Sequence, residues 1–175
     1  MSSLRPILIH PDPRLKKVCD PVARITPDIE ALAADMLATM YDAPGVGLAA
    51  PQVGIMSRIF VMDATRDPEA ERRPLVLVNP EVTWESEELN TYEEGCLSIP
   101  EQYGDVTRPK QVRLQWLGLD GKTHEEEFDG LWATCAQHEL EHLNGILFID
   151  HLSAIKRQMI TRRMVKLKRG KGRAS

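Results

Sequence analysis

Gln137-His138-Glu139-Leu140-Glu141-His142-Leu143-Asn144-Gly145 is the stretch around which the rest of this chain is organised. In a helix, positions i and i+4 are offset by only about 40° around the axis and about 6 Å along it, so His138 and His142 can close on one ion. Glu139 stands roughly 100° further round, which puts its carboxylate beside such an ion and in reach of a water molecule. The order H-E-x-x-H therefore points to metal-dependent hydrolysis. Ala133, Ala136, Leu140 and Leu143 recur at spacings of three and four, and Asn144-Gly145 is a C-terminal stop, so the run lies on a helix. Its flanks, Leu131-Trp132 and Ile146-Leu147-Phe148-Ile149, are apolar, which argues for a central helix and not a solvated one.

Working outward, Pro6, Pro11, Pro13 and Pro21 keep the N-terminal stretch extended, with at most a short helix near Arg14–Val18. Thr26-Pro27 opens a helix as N-cap and first residue, with Ile29, Leu32, Ala33, Met36, Leu37 and Met40 as its buried stripe, ending before Pro44-Gly45. Arg58–Asp63, Leu75–Asn79 and Val82–Glu85 read as strands, separated by a charged loop at Asp63–Arg73. Val112–Leu117 and Thr123–Phe128 read as a hairpin around Asp120-Gly121. A short strand at Ile146–Phe148 and an amphipathic helix from about Ser153 to Lys168 follow. Strands broken by three helices, without regular βαβ alternation, predict an α+β fold. Its sheets are mainly antiparallel and packed around a central metal-binding helix, with a C-terminal helix.

At 175 residues and 42% hydrophobic content the chain suits a single catalytic domain over 1–175. No apolar stretch approaches the roughly 20 residues of a membrane span. Met1-Ser2-Ser3-Leu4-Arg5 begins neither a secretory nor a transit segment, so a cytoplasmic protein is expected. Three cysteines, Cys19, Cys96 and Cys135, argue against a disulfide framework and leave a thiol for chemistry. The net charge of −4 hides an asymmetry: nine of the 22 Lys and Arg lie in the stretch 151–175, which has no acid, leaving 13 against all 26 acids in 1–150. A basic C-terminal helix and tail at about 153–175 is thus expected to meet an anionic surface or to end as a solvated helix. Ile155, Met159, Ile160 and Leu167 are available to hold it or to meet a partner.

A catalytic site of this kind usually takes three protein ligands and leaves one position open. Candidates for the third are Cys96, Cys135, His10, His124, His151 and several carboxylates. Cys135 shares a face with His138 but lies about 10.5 Å along the axis from His142, too far for one ion to be gripped by all three. It is expected to line the cavity as a small apolar residue. Cys96 comes from Glu93-Glu94-Gly95-Cys96-Leu97-Ser98-Ile99-Pro100, which could form a strand crossing the helix and complete a tetrahedral set. Gly45-Val46-Gly47-Leu48-Ala49-Ala50-Pro51-Gln52 would let a ligand backbone lie close, and the Gln52 amide N–H could face developing negative charge. By itself this segment is equally a packed turn. It is no phosphate loop, having no preceding strand and no terminal Gly-Lys-Ser/Thr.

Taken together, Gly45–Gln52, Glu94–Ser98 and Gln137–His142 resemble the G-x-G-x-A-A-x-Q, E-G-C-L-S and Q-H-E-x-D-H motifs of the peptide deformylases of bacterial type, in the same order. The match runs from about residue 45 to residue 149, and a basic C-terminal helix also resembles bacterial members. The resemblance implies removal of the N-formyl group from the initiator methionine of nascent chains. It implies that Cys96, His138 and His142 bind one divalent ion with water in the fourth place, and that Glu139 is general base and then acid. Gln52 and the Leu97 backbone N–H would hold the oxyanion. Gly47 and Gly95 would admit the substrate backbone, and Val46, Tyr92, Leu131, Thr134 and Cys135 would form the methionine pocket. Glu94 and Arg108 would be an ion pair bracing the site. Ferrous iron is implied as the native metal, with zinc, nickel or cobalt in a preparation.

The same resemblance implies N-formylmethionyl nascent peptides as partners, ribosomal RNA as a contact for the basic helix, and a monomer that touches no membrane. Two positions depart from the family: Glu141 replaces the usual Asp, one methylene longer, and Tyr103 stands where some bacterial members carry arginine near the pocket entrance. Two alternatives come from other classes. A zinc endopeptidase shares H-E-x-x-H but takes its third ligand from downstream, and a non-enzymatic RNA- or ribosome-associated module explains the basic tail but leaves Glu139 without a purpose.

Overall fold

Ile59-Phe60-Val61-Met62 is apolar at every position because it is buried on both faces. In the computed structural model, which describes the backbone of residues 2–174 and the side chains of residues 2–170, these four residues form β2. Met1, Ser175 and the side chains of Lys171 and Arg173 lie outside the described residues. Successive strand residues point to opposite sides. Ile59 and Val61 accordingly pack with Leu32, Met36 and Met40 of α1 (Pro27–Asp42), while Phe60 and Met62 pack with Ala133, Ala136 and Leu143 of α2 (Gly130–Leu143). A strand covered by helices on both faces reads as a continuous apolar run.

Around β2 an antiparallel five-stranded sheet forms in the order β1-β2-β3-β6-β7, with β1 Gly47–Ala49, β3 Leu75–Glu85, β6 Gln111–Leu117 and β7 Thr123–Asp129. A second, two-stranded sheet pairs β4 (Leu89–Cys96) with β5 (Ile99–Pro109). Helix α2 is packed against the large sheet by its apolar stripe and presents its polar side to the small one. The expected α+β architecture is thus found, with mainly antiparallel sheets around the motif helix and a C-terminal helix, α3 (Ala154–Ala174). Thr26 caps α1 as expected, its Oγ1 accepting from Ile29 N at 3.2 Å.

Several expectations need correction. The two strands expected either side of Pro80 are one strand, β3, because a register shift between Val78 and Glu81 absorbs the proline. Ile146–Phe148 is not a strand. Asp150 Oδ2 accepts from Leu147 N at 2.9 Å and curls the chain into a 3-10 turn, Phe148–His151, that buries Leu147, Phe148 and Ile149 together. Helix α3 runs past Lys168 to Ala174, while the N-terminal stretch holds, as expected, no more than one 3-10 turn, Pro13–Lys16.

Helix α3 is held by Ile160 and Met164, which are buried, and by Leu167, a stripe at four and three residues. Ile155 and Met159 stay exposed. The N-terminal segment lies between this helix and the small sheet. Leu8 N donates to Gln52 O at 2.7 Å, His10 N donates to Ser98 O at 2.9 Å, and His10 Nε2 meets Thr161 Oγ1 at 2.8 Å. At the other end of α2, Gly145 has φ of 73°, and a Cβ there would lie 2.5 Å from Lys16 O, so only glycine fits the turn.

Candidate metal centre

One helical turn of α2 sets His138 and His142 together, their rings 5.0 Å apart between centroids. The β4–β5 hairpin brings Cys96 opposite them. Cys96 Sγ lies 3.3 Å from His142 Nε2, and one donor atom from each of the three residues falls within 4.8 Å of the others. Among the described residues this is the only such group of three or more His, Cys, Asp or Glu side chains. A thiolate and two imidazoles suit zinc, iron or cobalt, so the donor set fits a divalent transition metal.

Each imidazole is set for this by its surroundings. His138 Nδ1 lies 3.0 Å from Glu94 Oε1; a proton on Nδ1 donated to that carboxylate leaves Nε2 with its lone pair toward the cluster. Burial pushes the His138 pKa down, but the Cys96 thiol, Glu139 and Glu94 outweigh it and hold it well above the ordinary value. A cation entering here displaces that proton. For His142, burial and then the charges of His138 and Arg108 keep the ring neutral, and its Nδ1 is buried without a partner.

Behind Glu94 sits Arg108. Its Nε donates to Glu94 Oε2 at 2.7 Å and its Nη2 to Glu94 Oε1 at 2.9 Å, a bidentate pair buried on both sides. Burial disfavours the charged form of either partner, yet the pairing wins, holding the Glu94 carboxyl below its usual range and the Arg108 guanidinium above it. Arg108 Nη1 turns the other way, to Glu141 Oε1 at 2.7 Å.

The cluster faces a pocket of about 620 Å³, within the range of small-ligand sites. Val46, Gly47, Tyr92, Gly95, Leu131, Thr134 and Cys135 line it, as do Gln52, Leu97, Glu94, Cys96, His138 and Glu139. Of the residues that the family resemblance assigns to the site, only His142, itself part of the cluster, and Arg108, behind Glu94, are not among those lining it. Cys135 is not in the cluster; its Sγ lies 3.6 Å from Val46 O, and burial, then Glu139 and Glu94, hold its thiol protonated. His10 and His124 are elsewhere, bonded to Thr161 and Asp120 respectively.

Glu139 is 4% exposed and its Oε1 has no hydrogen-bond partner. Such a group is costly unless something it must bind arrives. Burial, partly countered by His138, pushes its pKa up to about 7. A Cβ on Gly47 would stand 2.6 Å from Glu139 Oε2 and 2.7 Å from Cys135 Sγ, so the glycine makes room for the acid itself. At Gly95 the corresponding space is filled by the Tyr103 ring at 2.8 Å. Gln52 is oriented from both ends: Ala49 N donates to its Oε1 at 2.9 Å, and its Nε2 donates to Ser98 Oγ at 3.0 Å and toward Cys96 Sγ at 3.4 Å.

Sequence reasoning missed Ser98 as the hydroxyl that orients Gln52, and weighed His151 as a metal ligand, whereas it lies outside the cluster and pairs with Glu141. It also missed Arg66, which reaches the pocket wall from the loop after β2. Spacing carries no signal for these contacts, which cross from one element to another.

Known proteins resemble this chain in sequence and in fold. The sequence model of the family described as polypeptide deformylase matches residues 4–158. A protein named peptide deformylase from Methylocella silvestris is 54% identical over 165 residues, covering 93% of this chain and 84% of its own. The crystal structure of a peptide deformylase from Legionella pneumophila is similar with a TM-score of 0.89 and 43% identity, covering 98% of this chain and 99% of that one. That of peptide deformylase from Ehrlichia chaffeensis in complex with actinonin has a TM-score of 0.91 and 35% identity, covering 97% and 99%.

Proposed function

This chain belongs to the peptide deformylase family, and on that premise we propose that it hydrolyses the N-formyl group from the initiator methionine of nascent polypeptides, releasing formate. The observation that supports this best is one thiol and two imidazoles converging beside a pocket with an unpartnered buried carboxylate, Glu139, next to them. Cys96, His138 and His142 would hold one divalent ion, ferrous iron natively, with zinc, nickel or cobalt accommodated by the same donors. Bound there, the ion would supply Lewis acidity, bringing the pKa of water toward about 7 and polarising a carbonyl.

The remaining steps belong to the protein. Glu139 takes a proton from the attacking water at its free Oε1 and returns it to the leaving amine. Burial pushes its pKa upward, making it a stronger base than an exposed carboxylate. The Gln52 amide, with Oε1 occupied by Ala49 N, offers its N–H side, and with the Leu97 N–H it steadies the oxyanion. A lost oxyanion donor typically costs roughly 2.7–4 kcal/mol. Val46, Tyr92, Leu131, Thr134 and Cys135 take the methionine side chain, and the substrate backbone passes Gly47 and Gly95.

In this reading residues 1–175 act as one catalytic domain, monomeric and cytoplasmic. Among the described residues no helix is long and apolar enough to cross a membrane. The outer face of α3, with Arg162, Lys166 and Arg169 exposed, docks on ribosomal RNA near emerging chains. The deciding experiment is anaerobic assay of the protein loaded with iron, zinc or cobalt on a short formyl-Met peptide and on unformylated peptides. Formate release without cleavage of internal peptide bonds is expected. Internal cleavage would mean an endopeptidase, and no hydrolysis with any ion would remove the enzymatic reading.

A further inference from the structure

His138, Glu94, Arg108, Glu141 and His151 form one line of alternating donors and acceptors, drawn from α2, β4, β5 and the 3-10 turn Phe148–His151. It starts at the metal cluster and ends at the surface. Its outer half has no part in the reaction described so far. Glu141 Oε1 and Oε2 each lie 2.9 Å from His151 Nε2. The His151 side chain is 35% exposed, whereas that of Arg108 is only 6% exposed.

We propose that Glu141 and His151 are positioning residues for the metal centre, clamping Arg108 so that Glu94 stays against His138 Nδ1. The inference rests on the metal-hydrolase reading above. Its physical basis is a count of donors. Glu94 uses both oxygens on the Nε and Nη2 of Arg108 while Oε1 also takes the His138 proton. The Nη1 side of the buried guanidinium would go unpaired without Glu141, which meets it at 2.7 Å. Glu141 Oε1 takes the Arg108 bond, and the His151 Nε2–H is the donor that meets its Oε2 at the outer end.

Glutamate reaches Arg108 and His151 at once; aspartate, shorter by one C–C bond of about 1.5 Å, would have to give up one of them. A guanidinium held at both ends cannot swing, so Glu94 stays where it fixes the His138 tautomer and ring plane. Partners behind a metal-binding histidine commonly change metal affinity by 10–100-fold.

The test measures zinc affinity by competition with a chromophoric chelator, together with thermal unfolding of the metal-free protein. His151→Ala should weaken zinc binding roughly tenfold, toward the low end of that range. His151→Gln, whose amide nitrogen reaches about as far as Nε2, should restore affinity to near wild type. Glu141→Ala should lose at least as much, and adding His151→Ala to it should lose nothing further, because both act through one contact. Wild-type zinc affinity in His151→Ala, with or without a lower unfolding temperature, would reduce the pair to a structural staple and overturn the clamp. So would a His151→Gln protein no better than His151→Ala. Wild-type activity on formyl-Met peptide is measured separately. Zinc effects as expected without formate release would sink the deformylase reading and leave the clamp. A wild-type chain that binds no divalent ion would sink both.

Discussion

Glu139 and Cys96 sit within one pocket and carry different burdens, which substitution can separate. Cys96→Ala removes a donor from the cluster and should yield protein without bound metal, while Cys135→Ala should keep its metal and lose only packing, about 1–3 kcal/mol at a buried site. Metal analysis of the two purified proteins decides, and a metal-free Cys135→Ala would reverse the assignment. Glu139→Gln keeps shape but cannot take a proton. It should fold, retain metal and turn over formyl-Met peptide roughly 10²-fold or more slowly; near-normal turnover would remove Glu139 from the proton transfers. At this scale the sequence was legible where function needs a spacing along one element. His138, Glu139 and His142 lie on one turn of one helix, whereas Cys96 was one of several candidates until the family resemblance singled it out. The Glu141–His151 contact was invisible because ten residues and a change of direction separate the two.

Elements whose periodicity matches their burial were the easiest to find. Helix α1 with its Thr26 cap, the doubly buried β2 and the β6–β7 hairpin all declare themselves through apolar spacing and turn residues. The β4–β5 hairpin does not. The buried residues of β5 are Ile99, Gly104, Val106 and Arg108, with the first out of phase with the other three and only Ile99 and Val106 large and apolar; the arginine is buried because Glu94 and Glu141 pair with it. The turn after α2 permits a sharp prediction. Gly145→Ala places a Cβ against Lys16 O at positive φ, a conformation costing an L-residue about 1–2 kcal/mol before the clash is added. Urea unfolding should show the loss, and an unchanged midpoint would contradict it. The charged loop after β2 is tied down at Asp63, which accepts from Tyr41 Oη at 2.6 Å, Thr65 N at 3.1 Å and Arg73 N at 3.0 Å. Burial raises the Asp63 pKa, but these donors outweigh it and the net shift is downward. A depressed folded-state pKa stabilises above the ordinary carboxylate range and is lost as pH falls through the folded value. Asp63→Asn should therefore cost about 1–3 kcal/mol at neutral pH, with wild type losing its advantage in acid. A gap between the two unfolding curves that persists at the lowest pH would count against this account.

Over the whole molecule, charge is divided between an acidic body and a basic helix. Arg163 and Lys168 touch the body through Gln102 and Ile9 O, so the clean test of RNA docking reverses the exposed Arg162, Lys166 and Arg169. The triple Glu variant should keep its activity on a short formyl-Met peptide and lose co-sedimentation with ribosomes. Wild-type affinity should fall with salt by a log–log slope of roughly −0.7 to −0.9 per phosphate neutralised. Equal co-sedimentation would leave α3 a solvated helix. This division was legible in the sequence; that Ile160, Met164 and Leu167 turn inward while Ile155 and Met159 do not was not, because it depends on where the N-terminal segment lies. That segment has a temporal consequence. Leu8 and His10 brace the backbone at Gln52 and Ser98, and His10 is itself held by Thr161, 151 residues later. Synthesis delivers the brace before the element that holds it. Closing a contact over a loop of 151 residues carries a large chain-entropy cost, so this brace is expected to be secured late in folding. Until the segment around Thr161 has folded into place, His10 lacks its side-chain partner, and the backbone at Gln52 and Ser98 is braced by a segment that Thr161 does not yet hold.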